Sequence, residues 1–563
     1  MSIVTNEKAL VWDDKQESVI SAEPFQRIVV EAGPGMGKTA VACARVAHLI
    51  NEGVEPSNIW LVSFTRTAIK EIRDRIKRMV SMGFSSAAVR ISTVDSHVWR
   101  LRYGFDDAKT QELFGSYEAN IINIIEKLKS DHQGIMEYLG PMQHFIVDEA
   151  QDLVGDRCQL VYELICRLPK SCGITVFCDS AQAIYGFADD DHYKTEPLKK
   201  CLLANHNLHF EEVSLIRIHR TNSPLLQSIF LEARNSVLDT STFGTEKYDC
   251  VRDKIIKSVE SSDINKVVLL ETDLIGRDDI LVLYRRRVDV LQASSLLRSN
   301  KIPHRLRMSG LPPFMPGWIA EIFSSFTDRT IKYDDFRERW ANSVTGHDSS
   351  LLNPEVAWGS LVSLAGDRTG RVECPVLREI LARSQPPAEL AMSELGSGGP
   401  ILSTIHASKG REAYETFLML PPFSGKDEDN NDEEARVLFV GATRGTHTLR
   451  LGEGYHFPEK KLGDMGRVYR FLKDKKAFKA QVEIGRENDV DVISPVSTLL
   501  YSHPDQAIFE QRRMLGEYAT TQPAFAISNK NIGYRYKVGL NDFERDAPVA
   551  LLNQEVNSEL FGI

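Results

Sequence analysis

Residues 32–39 read Ala-Gly-Pro-Gly-Met-Gly-Lys-Thr and come after an apolar run at 28–30. A glycine-rich turn of this spacing, with a strand before it and a helix after it, is a phosphate-binding loop. Its glycines let backbone N–H groups approach and surround phosphate oxygens. Lys38 adds a positive charge for the β and γ phosphates, and the Thr39 hydroxyl is placed to reach Mg²⁺. The helix that begins here directs its positive end at the anion. A plain glycine turn ending in a surface lysine would not require strand, loop and helix signals to agree. Ala32, where glycine is usual, is a tolerated variant. A chain with this loop is expected to hold a nucleoside triphosphate.

At 563 residues there is room for several domains. Apolar residues at 42% and charged residues at 26% fit a water-soluble globular chain. No apolar stretch is long enough to span a bilayer. Residues 1–10 lack the basic-then-apolar pattern of a secretion signal. The eight cysteines form no Cys-x-x-Cys pair, which argues against structural zinc, an iron–sulfur cluster and a disulfide framework. Reduced thiols and a cytoplasmic location are the expectation. The net charge of −10 lends no support to nucleic-acid binding, but only a contact surface needs to be basic. That case has to come from motifs.

Apolar strand-like runs at 28–30, 59–64, 145–147 and 174–177 each precede polar or glycine residues and then a helix-like stretch. Continuous apolar runs of this kind are typical of buried parallel strands. A second set lies at 280–284, 401–404, 417–420 and 448–451. The alternation predicts two doubly wound α/β domains interrupted by helical insertions. Residues 393–400, rich in glycine, and 425–434, rich in Asp, Glu and Asn, read as loops. The last hundred or so residues carry strand-like segments such as 478–482 and 534–538 and read as a small β-rich unit without chemistry of its own.

Asp148-Glu149-Ala150-Gln151-Asp152 follows the run 145–147. Carboxylates at a strand's C-terminal end lie beside the phosphate loop in this kind of fold. Asp148 is placed to hold Mg²⁺, and Glu149 to orient and deprotonate a water. An acidic helix start would use the same residue types. The pairing with a phosphate loop favours the metal-binding reading.

At this point the chain resembles the UvrD/Rep-like superfamily 1 helicases. Residues 12–16 (Trp-Asp-Asp-Lys-Gln) resemble that family's glutamine motif, 63–68 (Ser-Phe-Thr-Arg-Thr-Ala) motif Ia, and 93–97 (Thr-Val-Asp-Ser-His) motif Ib. Residues 148–152 are the DEAQD form of motif II, and 179–187 (Asp-Ser-Ala-Gln-Ala-Ile-Tyr-Gly-Phe) are similar to motif III. Residues 215–221, ending His-Arg-Thr, resemble motif IV, and 283–285 motif IVa. Residues 404–412 (Thr-Ile-His-Ala-Ser-Lys-Gly-Arg-Glu) resemble motif V, and 433–445 motif VI. The motifs stand in family order across residues 12–445.

The resemblance implies two RecA-like P-loop domains with reduced helical insertions. It assigns 1–97 and 143–226 to motor domain 1A and 98–142 to a reduced insertion 1B. It assigns 227–310 and 398–455 to motor domain 2A and 311–397 to a reduced 2B-like insertion, leaving 456–563 as the β-rich C-terminal region. ATP and Mg²⁺ are the implied cofactors, with ATP between the two motor domains. Ala32, Gly33, Pro34, Gly35, Met36, Gly37, Lys38, Thr39 and Ala40 would cradle the nucleotide, and Gln16 would read adenine. The first domain would also supply Asp148, Glu149, Gln182, His219 and Arg220, and the second Glu412 and Arg444. Thr39 and Asp148 would hold Mg²⁺. Gln182 would sense the γ-phosphate, with Arg220 and Arg444 as arginine fingers, a device that can contribute on the order of 10³–10⁵ in rate. Tyr185 and Phe187 would stack on the bases of single-stranded DNA, worth about 1–3 kcal/mol per base. Phe64 is a further stacking candidate, and Thr65, Thr93, Ser96, His97, Thr404 and His406 would contact the DNA backbone or neighbouring rings.

The chain departs from the family pattern at several points. His219 stands where a tyrosine usually stacks on adenine, which bears on nucleotide selectivity. Arg411 and Ala413 replace apolar or aromatic residues of motif V, and Ala435 replaces an arginine of motif VI. Short spacers, 98–147 between motifs Ib and II and 286–403 between IVa and V, account for the reduced insertions. The resemblance thus implies an ATP-dependent 3′→5′ translocase and helicase acting on single-stranded or tailed duplex DNA, away from membranes, in repair or phage defence. Compact relatives occur in two-gene defence systems such as Gabija, so a nuclease or other effector protein is an expected partner by analogy. No Asp…Glu-x-Lys nuclease core is evident in the tail. Two other readings stand beside this one. A nucleotide-gated DNA sensor would recruit an effector without unwinding. A small-molecule kinase would leave motifs Ia, III and V unexplained.

Overall fold

The structure, a computed structural model, describes residues 11–63, 66–80, 88–94, 117–184, 197–259, 274, 276–309, 311, 315–323, 326–343, 353–367, 369–382, 386–387, 389–392, 394–396, 398–420, 431–454, 460–462, 467–474, 477–483, 486, 489, 524–529, 535–540, 550–553 and 556. Chain contacts divide it into two compact units: residues 1–260 with 424–449, and residues 261–423 with 450–563. The residues of motif VI therefore group with the first unit, together with 227–260, which the sequence reading assigns to the second motor domain.

The first unit is built on six strands: β1 (Arg27–Ala32), β2 (Ile59–Ser63), β3 (Arg90–Thr93), β4 (His144–Val147), β5 (Gly173–Cys178) and β6 (Glu211–Leu215). They lie in the order β3-β2-β4-β5-β1-β6 and all pair in parallel. Both faces of β1, β2, β4 and β5 are covered, so these strands are buried almost end to end. One face packs Val29, Trp60, Phe145 and Val176 against helices that include Tyr117–Lys129 and Gly155–Arg167. The other packs Ile28, Val30, Leu61, Ile146 and Phe177 against helices that include Lys38–Asn51. Burial of such side chains stabilises the fold by roughly 1.5–3 kcal/mol each, which holds the carboxyl ends of the strands in fixed relation.

After β6 the chain enters a helical stretch with an irregular middle. A turn of α-helix at Pro224–Ser228 widens to a π-helical turn at Ile229–Ala233 and returns to α-helix at Arg234–Leu238. Helix Gly244–Lys257 follows and packs against Asn431–Ala442. Asp432 accepts hydrogen bonds from the Gly244 N–H at 2.6 Å and the Lys247 ammonium at 3.3 Å, which fixes the start of one helix on the start of the other.

The second unit holds strands β7 (Ile280–Tyr284) and β8 (Arg305–Arg307), a small antiparallel pair β9 (Thr330–Ile331) and β10 (Val372–Glu373), then β11 (Ile401–Thr404), β12 (Ala413–Leu420) and β13 (Gly445–Glu453), the last containing the division between units. Five of them form one sheet in the order β13-β12-β7-β11-β8, in which β8, β11, β7 and β12 run parallel. Between β8 and β11 the chain forms a helical subdomain that includes the β9–β10 pair. Its core is aromatic: Trp318, Phe336 and Trp340 pack with ring centroids 5.3–6.1 Å apart. The tail forms two three-stranded antiparallel sheets: Lys460–Leu462, Arg467–Asp474 and Ala477–Val482, then Ala524–Asn529, Arg535–Leu540 and Ala550–Leu551. Among the described residues no helix is long and apolar enough to cross a membrane.

Candidate active site

The phosphate loop joins β1 to helix Lys38–Asn51, and its shape explains its glycines. Gly35 and Gly37 lie in the left-handed region at φ +70° and +85°, where side-chain-bearing residues are strained. A Cβ on Gly35 would also meet the Arg220 Cβ at 2.4 Å, so the loop and the residues after β6 are packed too closely for any side chain there. Gly37 provides no side-chain cap, which leaves the first-turn amides of the helix to another acceptor.

Lys38 is buried, and its ammonium donates to the Ala32 carbonyl at 3.1 Å and the Gly33 carbonyl at 3.5 Å. It also forms an ion pair with Asp179 at 3.8 Å, longer than a hydrogen bond. Thr39 Oγ1 donates to Asp148 Oδ2 at 3.3 Å, so the two expected magnesium ligands are already together. Asp148 follows β4, and its backbone N–H donates to Val62 O at 2.8 Å, which fixes it at the sheet's carboxyl edge. Burial, then the neighbouring Glu149 carboxylate, push the Asp148 carboxyl up to about 7, against the opposing effects of Lys38 and Thr39. A buried acid held this far above its usual range favours a cation beside it.

Glu149 takes a left-handed conformation at φ +54°, which costs a residue with a side chain about 1–3 kcal/mol. Gln151 supports it. The Gln151 amide nitrogen donates to Glu149 Oε2, and its Oε1 accepts from the Asp179 N–H at 2.9 Å. One buried glutamine thus ties the acid after β4 to the segment after β5. The sequence quotes Gln151 within motif II but offers no signal for this role.

Gln182 and Arg444 meet in the same unit: Arg444 Nη2 donates to Gln182 Oε1 at 3.2 Å. Arg444 is buried, and its Nε also donates to Val440 O at 2.9 Å. Arg220 is half-buried, with Nη1 donating to Thr443 O at 2.8 Å. Gln182, Arg220 and Arg444 therefore share one neighbourhood built on residues 443–444.

The adenine-reading candidate is equally constrained. Asp13 caps helix Asp14–Ile20, and the Asp13 N–H donates to Gln16 Oε1 at 3.1 Å, which orients the amide. Gln16 Nε2 then donates to Met36 O at 3.1 Å and to His219 Nε2 at 3.0 Å. An amide nitrogen only donates, so His219 Nε2 is the acceptor and the ring is neutral. Burial, then Arg217, lower the His219 pKa, in keeping with that form. The His219 backbone N–H donates to Gly35 O at 2.8 Å.

The structure also brings in residues the sequence reading missed. Glu31, the one charged residue of β1 after Arg27, is buried next to the loop. It accepts from the Ser180 N–H at 3.0 Å, Ser180 Oγ at 2.8 Å, Lys199 at 3.0 Å and Arg234 Nη2 at 2.6 Å. Burial opposes its ionisation, but Lys199 and the Ser180 hydrogen bonds bring it below the usual carboxylate range. Arg234 Nη2 also lies 3.4 Å from Asp179 Oδ1. A carboxylate inside an apolar strand is a sequence signal that a cation must come to it, but nothing in the sequence says which one.

Of the DNA-contact candidates, Thr93 is buried at the end of β3. In the second unit Thr404 is buried at the end of β11, and its Oγ1 accepts from the Ala407 N–H at 3.3 Å. His406 is buried in the next turn. Burial, then Arg285 and Lys409, push its pKa down to about 3. Glu412 immediately precedes β12 in the same unit. Phe64, Thr65, Ser96, His97, Tyr185 and Phe187 lie outside the described residues. Two departures from the family pattern find local reasons. Arg411 pairs with the buried Glu394 at 3.1 Å, and Ala435 is fully buried on helix Asn431–Ala442.

Comparison with known proteins agrees with the motifs. Residues 12–114 match the UvrD/REP helicase N-terminal domain. An ATP-dependent helicase/nuclease subunit of Heliobacterium modesticaldum is 41% identical over 66 residues, 12% of this chain and 5% of that protein. DNA helicase II of Escherichia coli is 37% identical over 90 residues, 16% of this chain and 12% of that protein. A crystal structure of the Pif1 helicase from Candida albicans aligns with 80% of this chain and 97% of its own, at 12% identity and a TM-score of 0.38. The matched segments thus span only a small fraction of the two relatives' length. With the loop, the acids after β4 and the glutamine–arginine pair assembled as described, residues 12–114 match the N-terminal domain of UvrD/REP helicases, and the chain is similar to UvrD/Rep-like superfamily 1 helicases.

Proposed function

We propose that the protein hydrolyses ATP to move 3′→5′ along single-stranded DNA and to separate the strands of a tailed duplex. The observation that carries this reading is the connected constellation Lys38, Thr39–Asp148, Glu149–Gln151–Asp179 and Gln182–Arg444 at one edge of one sheet.

ATP and Mg²⁺ fit these residues. The loop carries no side chain at positions 35 and 37. Lys38 is held by main-chain carbonyls that a phosphate can replace, and the buried Asp148 acid calls for a cation. Lys38 and the loop N–H groups of 33 and 35–37 would hold the phosphates, Thr39 Oγ1 and Asp148 the metal, and Gln16 with His219 the base. Bound Mg²⁺–ATP supplies the phosphoryl group whose hydrolysis drives movement. Glu149, fixed by Gln151, orients a water and takes its proton. Arg444 and Arg220 stabilise the charge that develops during hydrolysis. Gln182, hydrogen-bonded to Arg444, would pass the nucleotide state to the DNA side.

On the DNA side, Tyr185, Phe187 and Phe64 would stack on bases. Thr65, Thr93, Ser96, His97, Thr404 and His406 would position the strand, with Glu412 on the nucleotide. The reading extends to a cytoplasmic role in repair or phage defence beside a nuclease or other effector protein. The Heliobacterium relative is itself named as part of a helicase/nuclease.

The test is strand displacement with 3′-tailed and 5′-tailed duplexes, with and without ATP. Displacement of the 3′-tailed substrate alone, dependent on ATP and lost in Lys38→Ala, is the expected result. DNA-stimulated hydrolysis without displacement would point instead to a nucleotide-gated sensor.

A further inference from the structure

We propose that Arg234 is a positioning residue that occupies the two carboxylates next to the phosphate loop, Glu31 and Asp179, and so leaves Lys38 available to the nucleotide. The inference rests on the ATP-binding reading of the loop and deepens it. Arg234 belongs to no motif in the sequence.

The register of the sheet creates the problem that Arg234 solves. Glu31 on β1 lies opposite Cys178 on β5, so Asp179 and Ser180 leave β5 beside it. Two carboxylates are thereby buried together, Asp179 with no exposed surface and Glu31 with 7%. Burial, offset in part by Lys38 and Arg234, raises the Asp179 pKa. The cations within reach are Lys38, 3.8 Å from Asp179; Lys199, 3.0 Å from Glu31; and Arg234, 2.6 Å from Glu31 and 3.4 Å from Asp179. Lys199 is shared with Glu212 at the rim, 2.7 Å away. Arg234 is therefore the only group among the described residues that pairs with both buried acids, a task suited to the fixed fork of a guanidinium.

The same side chain lies against the loop. A Cβ on Gly33 would sit 3.0 Å from Arg234 Cδ and Nε. With Arg234 gone, Asp179 keeps Lys38 as its one nearby cation among the described residues. Two incompletely paired carboxylates beside the loop would then hold the lysine more firmly and oppose an incoming phosphate.

The experiment compares wild type, Arg234→Gln, Arg234→Lys and the double variant Arg234→Gln/Glu31→Gln. Affinity for a fluorescent non-hydrolysable ATP analogue is measured with Mg²⁺, ATP turnover is split into KM and kcat, and thermal unfolding reports the fold. Arg234→Gln should weaken the analogue about tenfold and raise KM to match, the scale of one charge-assisted hydrogen bond, with kcat within about threefold. The double variant removes one of the two buried carboxylates, so less negative charge beside the loop opposes the phosphates, and should recover affinity to within about threefold of wild type. Arg234→Lys keeps the charge without the fork and should fall between the two; it serves as the test if Arg234→Gln does not fold. Unchanged affinity in Arg234→Gln, or a double variant no better than the single one, would overturn the proposal. If wild type itself bound no nucleotide, the ATP reading would fall and this inference with it; normal wild-type binding with an indifferent Arg234 overturns this inference alone.

Discussion

Gln182 Oε1 accepts a hydrogen bond from Arg444 Nη2 at 3.2 Å, although 261 residues lie between them in the chain. The contact joins the glutamine expected to sense the γ-phosphate to the arginine expected to stabilise charge there. The two should behave as one unit. Arg444→Ala is expected to lower DNA-stimulated hydrolysis by about 10³-fold or more. Adding Gln182→Ala should cost far less in that background than in wild type. Arg444→Lys should not rescue, because Nε and Nη2 serve different acceptors at once. Steady-state hydrolysis at saturating single-stranded DNA measures all three, and additive losses would separate the pair.

Lys38→Ala and Glu149→Gln test opposite ends of the same site. The first should abolish nucleotide binding and turnover together. The second should leave binding intact and lower turnover by about 10²–10⁴-fold, the usual contribution of a general base. Unreacted ATP should then remain bound after gel filtration. Turnover that persisted in either variant would remove that residue from the site.

Asp148 makes a pH-dependent prediction about stability. Its folded-state pKa is raised to about 7. The neutral acid therefore contributes stability that is fully present below the unfolded carboxylate's pKa and is lost as pH rises through about 7. Asp148→Asn removes that liability. In EDTA at pH 8 the variant should unfold at a higher temperature than wild type, and the gap should narrow at pH 5. The same substitution should eliminate Mg²⁺-dependent hydrolysis. Equal unfolding temperatures at both pH values would show that the carboxyl is not held neutral by its surroundings.

Tyr185→Ala and Phe187→Ala should uncouple the two activities. Hydrolysis should persist while displacement of the 3′-tailed duplex falls at least tenfold, in line with the loss of about 1–3 kcal/mol of stacking per base. Parallel measurement of phosphate release and strand separation decides it, and normal unwinding by both variants would exclude a stacking role.

Most of both sheets was legible, for a physical reason. Strands buried on both faces must be apolar throughout, so β1, β4, β5, β7, β11 and β12 coincide with apolar runs. Of the edge strands, β3, β6 and β8 escaped, whereas β13 overlaps the run at 448–451. β6 reads Glu-Glu-Val-Ser-Leu with two exposed glutamates, β3 is four residues beginning with arginine, and β8 is Arg-Leu-Arg. An edge strand has one neighbour, and its sequence is freer to be polar. In the site, Lys38, Thr39, Asp148, Glu149, Gln182 and Arg444 could be named because the loop and motif spacings fix them. Gln151, Glu31 and Arg234 could not be given roles, since what they do depends on which strand lies beside which.

The π-helical turn at Ile229–Ala233 has a consequence for how this protein can change. One additional residue in a turn rotates everything downstream by about 100° around the helix axis. Arg234 is the first residue beyond it, so its aim at Glu31 depends on that local widening as much as on its own identity. Deleting a single residue from the widened turn would let regular winding resume and swing the guanidinium away with its chemistry intact. In this helix, insertions and deletions should therefore be purged more strictly than most exchanges of one side chain for another.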